Sequence, residues 1–171
     1  DNTLVDDARA NAQEPHLAAW PSLAAHCPSE GAVEPEHAVE KIQQAARAHG
    51  ADILHGVRVK RLVEDHGKVI GVMTDDGLLE ADCVVLAAGV DSNDLLKTVG
   101  RKLALDAPAG LLVHSEPVGQ CLNGLVMAPE LHVRQTHEGR LVAGTDFGGT
   151  DPGDDPDVAA DELFAKVQQF F

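Results

Sequence analysis

A chain of 171 residues fits one compact domain, or the halves of two that share an interface. Its 13 Lys+Arg against 28 Asp+Glu give a formal net charge of −15, a field that repels nucleic acid and anionic membrane surfaces and so argues against either as a partner. Hydrophobic residues at 44% suffice for a core, but aromatics at 3% with no tyrosine mean that Ala, Val and Leu must build it.

The first predicted element is a helix in the Ala-rich stretch to Ala25, with Leu4, Ala8 and Ala12 on one face and Asp6 and Asp7 in its first turn. Pro15 stops it, and Trp20, the single tryptophan, is expected as a buried anchor. Residues 31–50 carry the clearest helix. Pro35 suits its first turn, where a missing N–H costs nothing. Glu34, Glu36 and Glu40 sit at the end where the helix dipole favours acids. Val39, Ile42 and Ala46 share a face, and Gly50 stops the helix after Arg47 and His49.

The rest of the chain is organised around Gly50 to Ser92. Asp52–His55 reads as a short strand. Val57 and Val59 alternate with Arg58 and Lys60, so one face is buried and one is wet. His66-Gly67 makes a hairpin turn into Val69–Thr74, and Asp75-Asp76-Gly77 turns the chain again into Leu78-Leu79. The apolar run Cys83–Ala88 predicts a strand covered on both faces, as in a parallel sheet, followed by a small-residue turn of the kind at which such sheets hold ligands. Asp91 or Ser92 then caps a helix that Gly100 ends.

Beyond Leu103 the texture changes. Leu111–His114, Leu122–Met127, Leu131–Arg134 and Leu141–Gly144 are short apolar segments broken by Pro117, Pro129 and Glu138-Gly139, a spacing that predicts an antiparallel sheet. A Gly/Pro/Asp loop from Gly148 to Pro156 leads to a last helix over Val158–Phe171. The fold class is α/β with an α+β portion: a three-layer unit of helix, parallel strands and β-meander joined to an antiparallel sheet. The expected divisions are 1–30 as a lead-in helical segment, 31–102 as the α/β part, and 103–171 as the antiparallel sheet with its helix.

No GxSxG, P-loop, HExxH or complete GxGxxG is present, and the nine histidines have no ligand-set spacing, so no metal site is expected. His26-Cys27 stands without a second cluster. Cys27, Cys83 and Cys121 form no CxxC pair, which points to buried thiols in a reducing, cytoplasmic setting. No stretch approaches the roughly 18 apolar residues of a membrane helix. The chain begins without Met on a polar run and its last helix lacks a cap, so both ends are expected to be cuts.

Several of these residues, in order, resemble the FAD-dependent oxidoreductases that include D-amino acid oxidase, glycine oxidase and sarcosine oxidase. In that family a G-x-V-x-P segment opens a helix, here Gly31-Ala32-Val33-Glu34-Pro35, and a Gly-Ala follows it, here Gly50-Ala51. The resemblance implies that Val59 meets the adenine part of FAD through its backbone and that Ala87-Ala88-Gly89 approaches the cofactor again. Ser92 is kept, with Val90-Asp91 before it where the family usually has an aromatic. The family's substrate-domain strand, glycine turn and Gly-Thr strand match His132-Val133-Arg134, Glu138-Gly139-Arg140 and Leu141–Thr145. His132 falls near a tyrosine that faces the substrate in some members.

Gly89 lacks a side chain where a ligand backbone comes close, and Val59 offers a main-chain edge and an apolar wall. With period-two geometry, His132 and Arg134 share one strand face and together suit a carboxylate. The expected function is a fragment, inactive alone, of an enzyme that passes hydride from an amino acid, N-methyl amine or 2-hydroxy acid to FAD; oxidase and dehydrogenase are both open, as is a homo-oligomer. No catalytic acid or base stands out. The rival is a non-catalytic α/β binding or assembly module whose acidic surface meets a basic partner.

Overall fold

The computed structural model describes residues 2–107, 109–145, 151–153 and 155–171. The chain divides into two compact units, one of residues 1–42 with 108–171 and one of residues 43–107.

The first unit opens with strand β1 (Thr3–Asp6), helix α1 (Asp7–Gln13) and strand β2 (Leu23–His26). β1 and β2 pair antiparallel, from Thr3 opposite His26 to Asp6 opposite Leu23. Asp6 ends the strand and caps the helix, its carboxylate accepting the Arg9 N–H at 3.0 Å. Leu4, expected on a helix face, is therefore a strand residue. The helix still ends before Pro15, as the ring requires.

Four later strands make an antiparallel sheet in the order β6-β9-β8-β7: β6 (Val113–Pro117), β7 (Val126–Ala128), β8 (Leu131–Gln135) and β9 (Arg140–Gly144). β8 and β9 match the expected segments Leu131–Arg134 and Leu141–Gly144 to within one residue, whereas β6 and β7 overlap the ends of Leu111–His114 and Leu122–Met127 and run past them. One face of the sheet carries the core. Leu131, Val133, Leu141 and Ala143 pack with Leu17, Leu122 and, from helix α4 (Pro156–Phe170), Leu163 and Val167. Leu163 and Val167 are four apart and so lie on one side of the helix. Trp20 packs at the edge of this cluster, half-buried, its indole N–H held by the Glu14 carbonyl at 3.1 Å. Of the loop read over Gly148 to Pro156, residues 148–150 and 154 lie outside the described residues, and Pro156 already begins α4.

Gln135, at the end of β8, ties down the loop from Val118 to Leu122. Its Oε1 accepts from the Cys121 and Leu122 N–H groups at 2.9 and 3.2 Å, and its Nε2 donates to the carbonyls of Gly119 and Gly139, both at 3.0 Å. A side-chain amide thus does the work of a strand edge for a segment that has none. Burial pushes the Cys121 thiol above its ordinary range, with the Glu14 carboxylate adding to the effect.

Helix α2 (Pro35–Ala48) carries the chain into the second unit. There β3 (Val59–Asp65), β4 (Lys68–Thr74) and β5 (Gly77–Glu80) form an antiparallel meander. His66 and Gly67, both at positive φ, make the first turn. Gly71 sits at φ +155° beside a bulge: Val63 faces Gly71 and Glu64 faces Val69, so Ile70 is the extra residue. Helix α3 (Ser92–Lys97) packs on β3, and the Thr98 hydroxyl just after it accepts the Leu62 N–H at 3.1 Å.

Two expected strands take a different form. Asp52–His55 and Cys83–Ala88 lie in no strand, Cys83 is exposed, and Val85 is 85% exposed. An apolar run is buried only where a second surface covers it, and among the described residues the run is covered on one side alone. Val84 and Leu86 are half-buried and, with Leu62, Val69, Leu96 and Val99, line a cavity of about 260 Å³. Cys83, Val85 and Ala87 alternate with them and are exposed. No described helix is long and apolar enough to cross a membrane.

Candidate functional site

In the second unit, Val59 begins β3, half-buried and opposite Thr74. Thr74 is buried; its hydroxyl donates to the Gly77 carbonyl at 2.9 Å and accepts the Asp76 N–H at 3.2 Å, which pins the β4–β5 turn beside Val59. Ala87, Ala88 and Gly89 follow the apolar run and are all exposed. Gly89 has φ +55°, and nothing lies within 4 Å of the place a Cβ would take. It starts a single turn of 3-10 helix, Gly89–Asp91, that leads straight into α3. Three small residues with open space above them form a shelf that a flat ligand can approach closely.

In the first unit, the candidate surface is the face of the four-stranded sheet opposite the core. Leu131 and Val133 point to the core, so His132 and Arg134 point away from it, both half-buried. The two residues therefore share a face, as their spacing requires. His132 lies between Met127 on β7 and Gly144 on β9. Arg134 lies next to Val142, which in turn faces His114 on β6. Val142 is buried yet belongs to no part of the core cluster, as expected of a residue on this other face.

Arg134 has a fixed partner. Its Nη1 donates to Glu34 Oε1 at 3.0 Å, and the His137 backbone N–H donates to the same oxygen at 3.2 Å. A carboxylate thus already occupies one arm of the guanidinium. Glu34 is the residue just before α2, and it reaches a strand 100 residues away. The sequence marks Glu34 only as an acid favourable to a helix start; no local signal reveals the ion pair. Gly144 was likewise legible only as a strand end. A Cβ there would stand 2.6 Å from His132 Nε2, 2.7 Å from its Cε1 and 2.8 Å from Leu112 Cδ2. The Nε2–Cε1 edge of the imidazole therefore occupies the space over the bare Cα of Gly144. A glycine inside a strand was the available signal for such an approach.

The Arg134 hydrogen bond, with smaller help from the His137 N–H and the positive charge, holds the Glu34 carboxyl below its ordinary value of 4.5. A carboxylate with a depressed folded pKa contributes stability that is complete above the unfolded value and is lost as pH falls through the folded one. Wild-type protein is therefore expected to melt higher than Glu34→Gln by a constant margin above about pH 4.5, and the margin should shrink on further acidification. Parallel melting curves with a gap that does not change with pH would show that the charge on Glu34 contributes nothing.

The FAD dependent oxidoreductase family model matches residues 1–171, the whole chain. The bifunctional protein ThiO/ThiG of Synechocystis sp. is 33% identical over 122 residues, covering 68% of this chain and 18% of that protein. The 4-methylaminobutanoate oxidase (formaldehyde-forming) of Paenarthrobacter nicotinovorans is 32% identical over 122 residues, covering 68% of this chain and 15% of that protein. The crystal structure of glycine oxidase from Bacillus cereus superposes with a TM-score of 0.77 at 21% identity, over 100% of this chain and 48% of that one. The chain thus spans less than a fifth of these two curated relatives and about half of the solved structure.

Proposed function

Because this chain belongs to the FAD-dependent oxidoreductase family, we propose that it is part of an enzyme that oxidises a small amine, an amino acid or a 2-hydroxy acid. The reading is carried by one observation: the family match runs through both units, so the glycine shelf of one and the His132 face of the other belong to a single family domain. The names of the relatives, an oxidase of 4-methylaminobutanoate and one of glycine, favour an amine among the three substrate classes.

Bound FAD supplies the hydride acceptor. The residues present fit the cofactor. Val59 offers main-chain groups and an apolar wall to the adenine end, and Ala87, Ala88 and Gly89 leave an exposed shelf with no side chain in the way. His132 faces the substrate from the sheet, and Arg134, held by Glu34, supplies its charged neighbour. Together they orient the substrate and limit the access of water. The three separate cysteines favour a reducing, cytoplasmic setting.

The test is anaerobic mixing of the intact flavin-loaded protein with glycine, an N-methylamino acid and a 2-hydroxy acid. Bleaching of the oxidised flavin by at least one of them is expected. A protein that carries flavin and is bleached by none is not this kind of enzyme, and an intact protein that takes up no flavin is better read as an acidic binding module. Gly89→Asn probes the cofactor half. Asparagine tolerates left-handed backbone, so the change adds a side chain with little strain. FAD affinity should fall about tenfold, equivalent to about 1.4 kcal/mol, while the flavin-free melting temperature stays close to wild type. Unchanged FAD affinity would leave Gly89 as a turn residue leading into α3 and nothing more.

A further inference from the structure

We propose that Gly144 is a positioning residue: it keeps the His132 ring lying down on the sheet and so sets the clearance above the sheet for the substrate. The proposal rests on reading this face as the substrate side. Gly144 is the last residue of β9, buried and opposite His132 on β8. A glycine at a buried, paired position adds backbone freedom and supplies no side chain to pack, so its presence calls for a reason. Backbone conformation is not that reason, because Gly144, unlike Gly71, has no positive φ. Space is. Two of the three atoms that an added Cβ would meet belong to the His132 ring, at 2.6 and 2.7 Å, and the third is a Leu112 methyl carbon at 2.8 Å. These are the ends of side chains, so alanine is accommodated by the ring and the methyl moving and not by the strand breaking. The other face of the sheet is filled by Leu131, Val133, Leu141 and Ala143. The open direction for the ring is therefore away from the sheet, where its neighbours Leu112 and Met127 are 55% and 56% exposed. Glycine at 144 gives a low imidazole and room above it; any larger residue raises the imidazole into that room.

The experiment is a double-mutant cycle of Gly144→Ala and His132→Ala in the flavin-loaded enzyme, using the substrate that bleaches wild-type flavin. Gly144→Ala is expected to raise the substrate KM about tenfold, with a much smaller change in the reduction rate at saturation. In the His132→Ala background, adding Gly144→Ala should leave KM nearly unchanged and lower the melting temperature less than it does in wild type, because the obstructing ring is gone and only the Leu112 methyl contact remains. Equal effects of Gly144→Ala in both backgrounds would overturn the proposal, since the glycine would then serve the strand and not the ring. Coupling in melting temperature without any effect on KM would also overturn it, by removing the substrate from this face. Failure of the enzyme reading looks different: wild type itself bleaches with no substrate, while the thermal cycle still reports the ring contact.

Discussion

Gly71→Ala is expected to unfold the β3–β5 meander. A Cβ at Gly71 would stand 2.2 Å from the Leu79 carbonyl oxygen and 3.0 Å from the Glu80 Cα, both backbone atoms of the neighbouring strand. Leu79 is held in register opposite Val72, and Glu80 opposite Gly71, so neither atom can turn aside as a side chain would. The φ of +155° adds a second obstacle, because an L side chain rarely adopts it. Relief requires parting β4 from β5 or remodelling the bulge at Ile70. Overpacking in a close-packed site costs about 1–3 kcal/mol, and backbone overlap belongs at or beyond the top of that range. Whole domains hold only about 5–15 kcal/mol, so a substantial share of this unit's margin would go. At about 4–8 °C per kcal/mol for a small domain, the melting temperature should drop by about 10 °C or more. Hydrogen exchange on the intact protein should show the amides of β3–β5 losing protection while those of β8 and β9 keep theirs. A variant that melts within about 3 °C of wild type would mean that the bulge is soft enough to absorb the methyl group.

Gln135→Ala should come next in size. The change strands the Cys121 and Leu122 N–H groups and removes the donor that reaches Gly119 and Gly139. Leu122 is 5% exposed, so water cannot readily replace its lost partner. One stranded buried donor costs about 1–3 kcal/mol, and the loop joins the core through Leu122, so a loss of about 2–4 kcal/mol is expected. Urea unfolding should show a lower midpoint with an unchanged slope. Gln135→Glu keeps the acceptor and loses both donors, so it should fall between wild type and alanine. An alanine variant with the wild-type midpoint would show that the loop finds other partners.

Elements whose stabilising contacts are local could be read directly from the chain. The α2 helix has its acids, its proline and its closing glycine within its own span. The hairpin at His66-Gly67 needs only a residue tolerant of positive φ beside a glycine. Each of the four apolar segments after Leu103 contributes to a strand, and Pro129 and Gly139 separate the last three of those strands. Legibility stopped where a partner lies far off. Leu4 follows a helix pattern until β2 draws it into a strand, some twenty residues further along. Cys83–Ala88 has the composition of a doubly covered strand, but composition states a need for cover and not who provides it. At the candidate site, it was legible that His132 and Arg134 share a strand face, because period two is a local rule. Glu34 and the space over Gly144 were not, since each depends on a side chain from another strand or helix. Gln135 was missed for the same reason, as nothing in a polar residue's own neighbourhood says that it will tie down a loop.

The first unit is assembled from two stretches of sequence that the whole second unit separates. During synthesis this imposes a timetable. The meander joins neighbouring strands through short turns, a low-contact-order arrangement that forms quickly once it leaves the ribosome. The leading piece must wait, because Glu14 finds Asn123 only 109 residues later and Glu34 finds Arg134 only 100 residues later. At about 5–20 residues per second the interval is on the order of seconds to tens of seconds. Throughout it Leu4 and Leu23, which stay 68% and 60% exposed even in the folded chain, sit on a lone strand pair that cannot be stable by itself. Early folding of the intervening unit shortens the flexible tether and so lowers the entropic cost of closing the first unit.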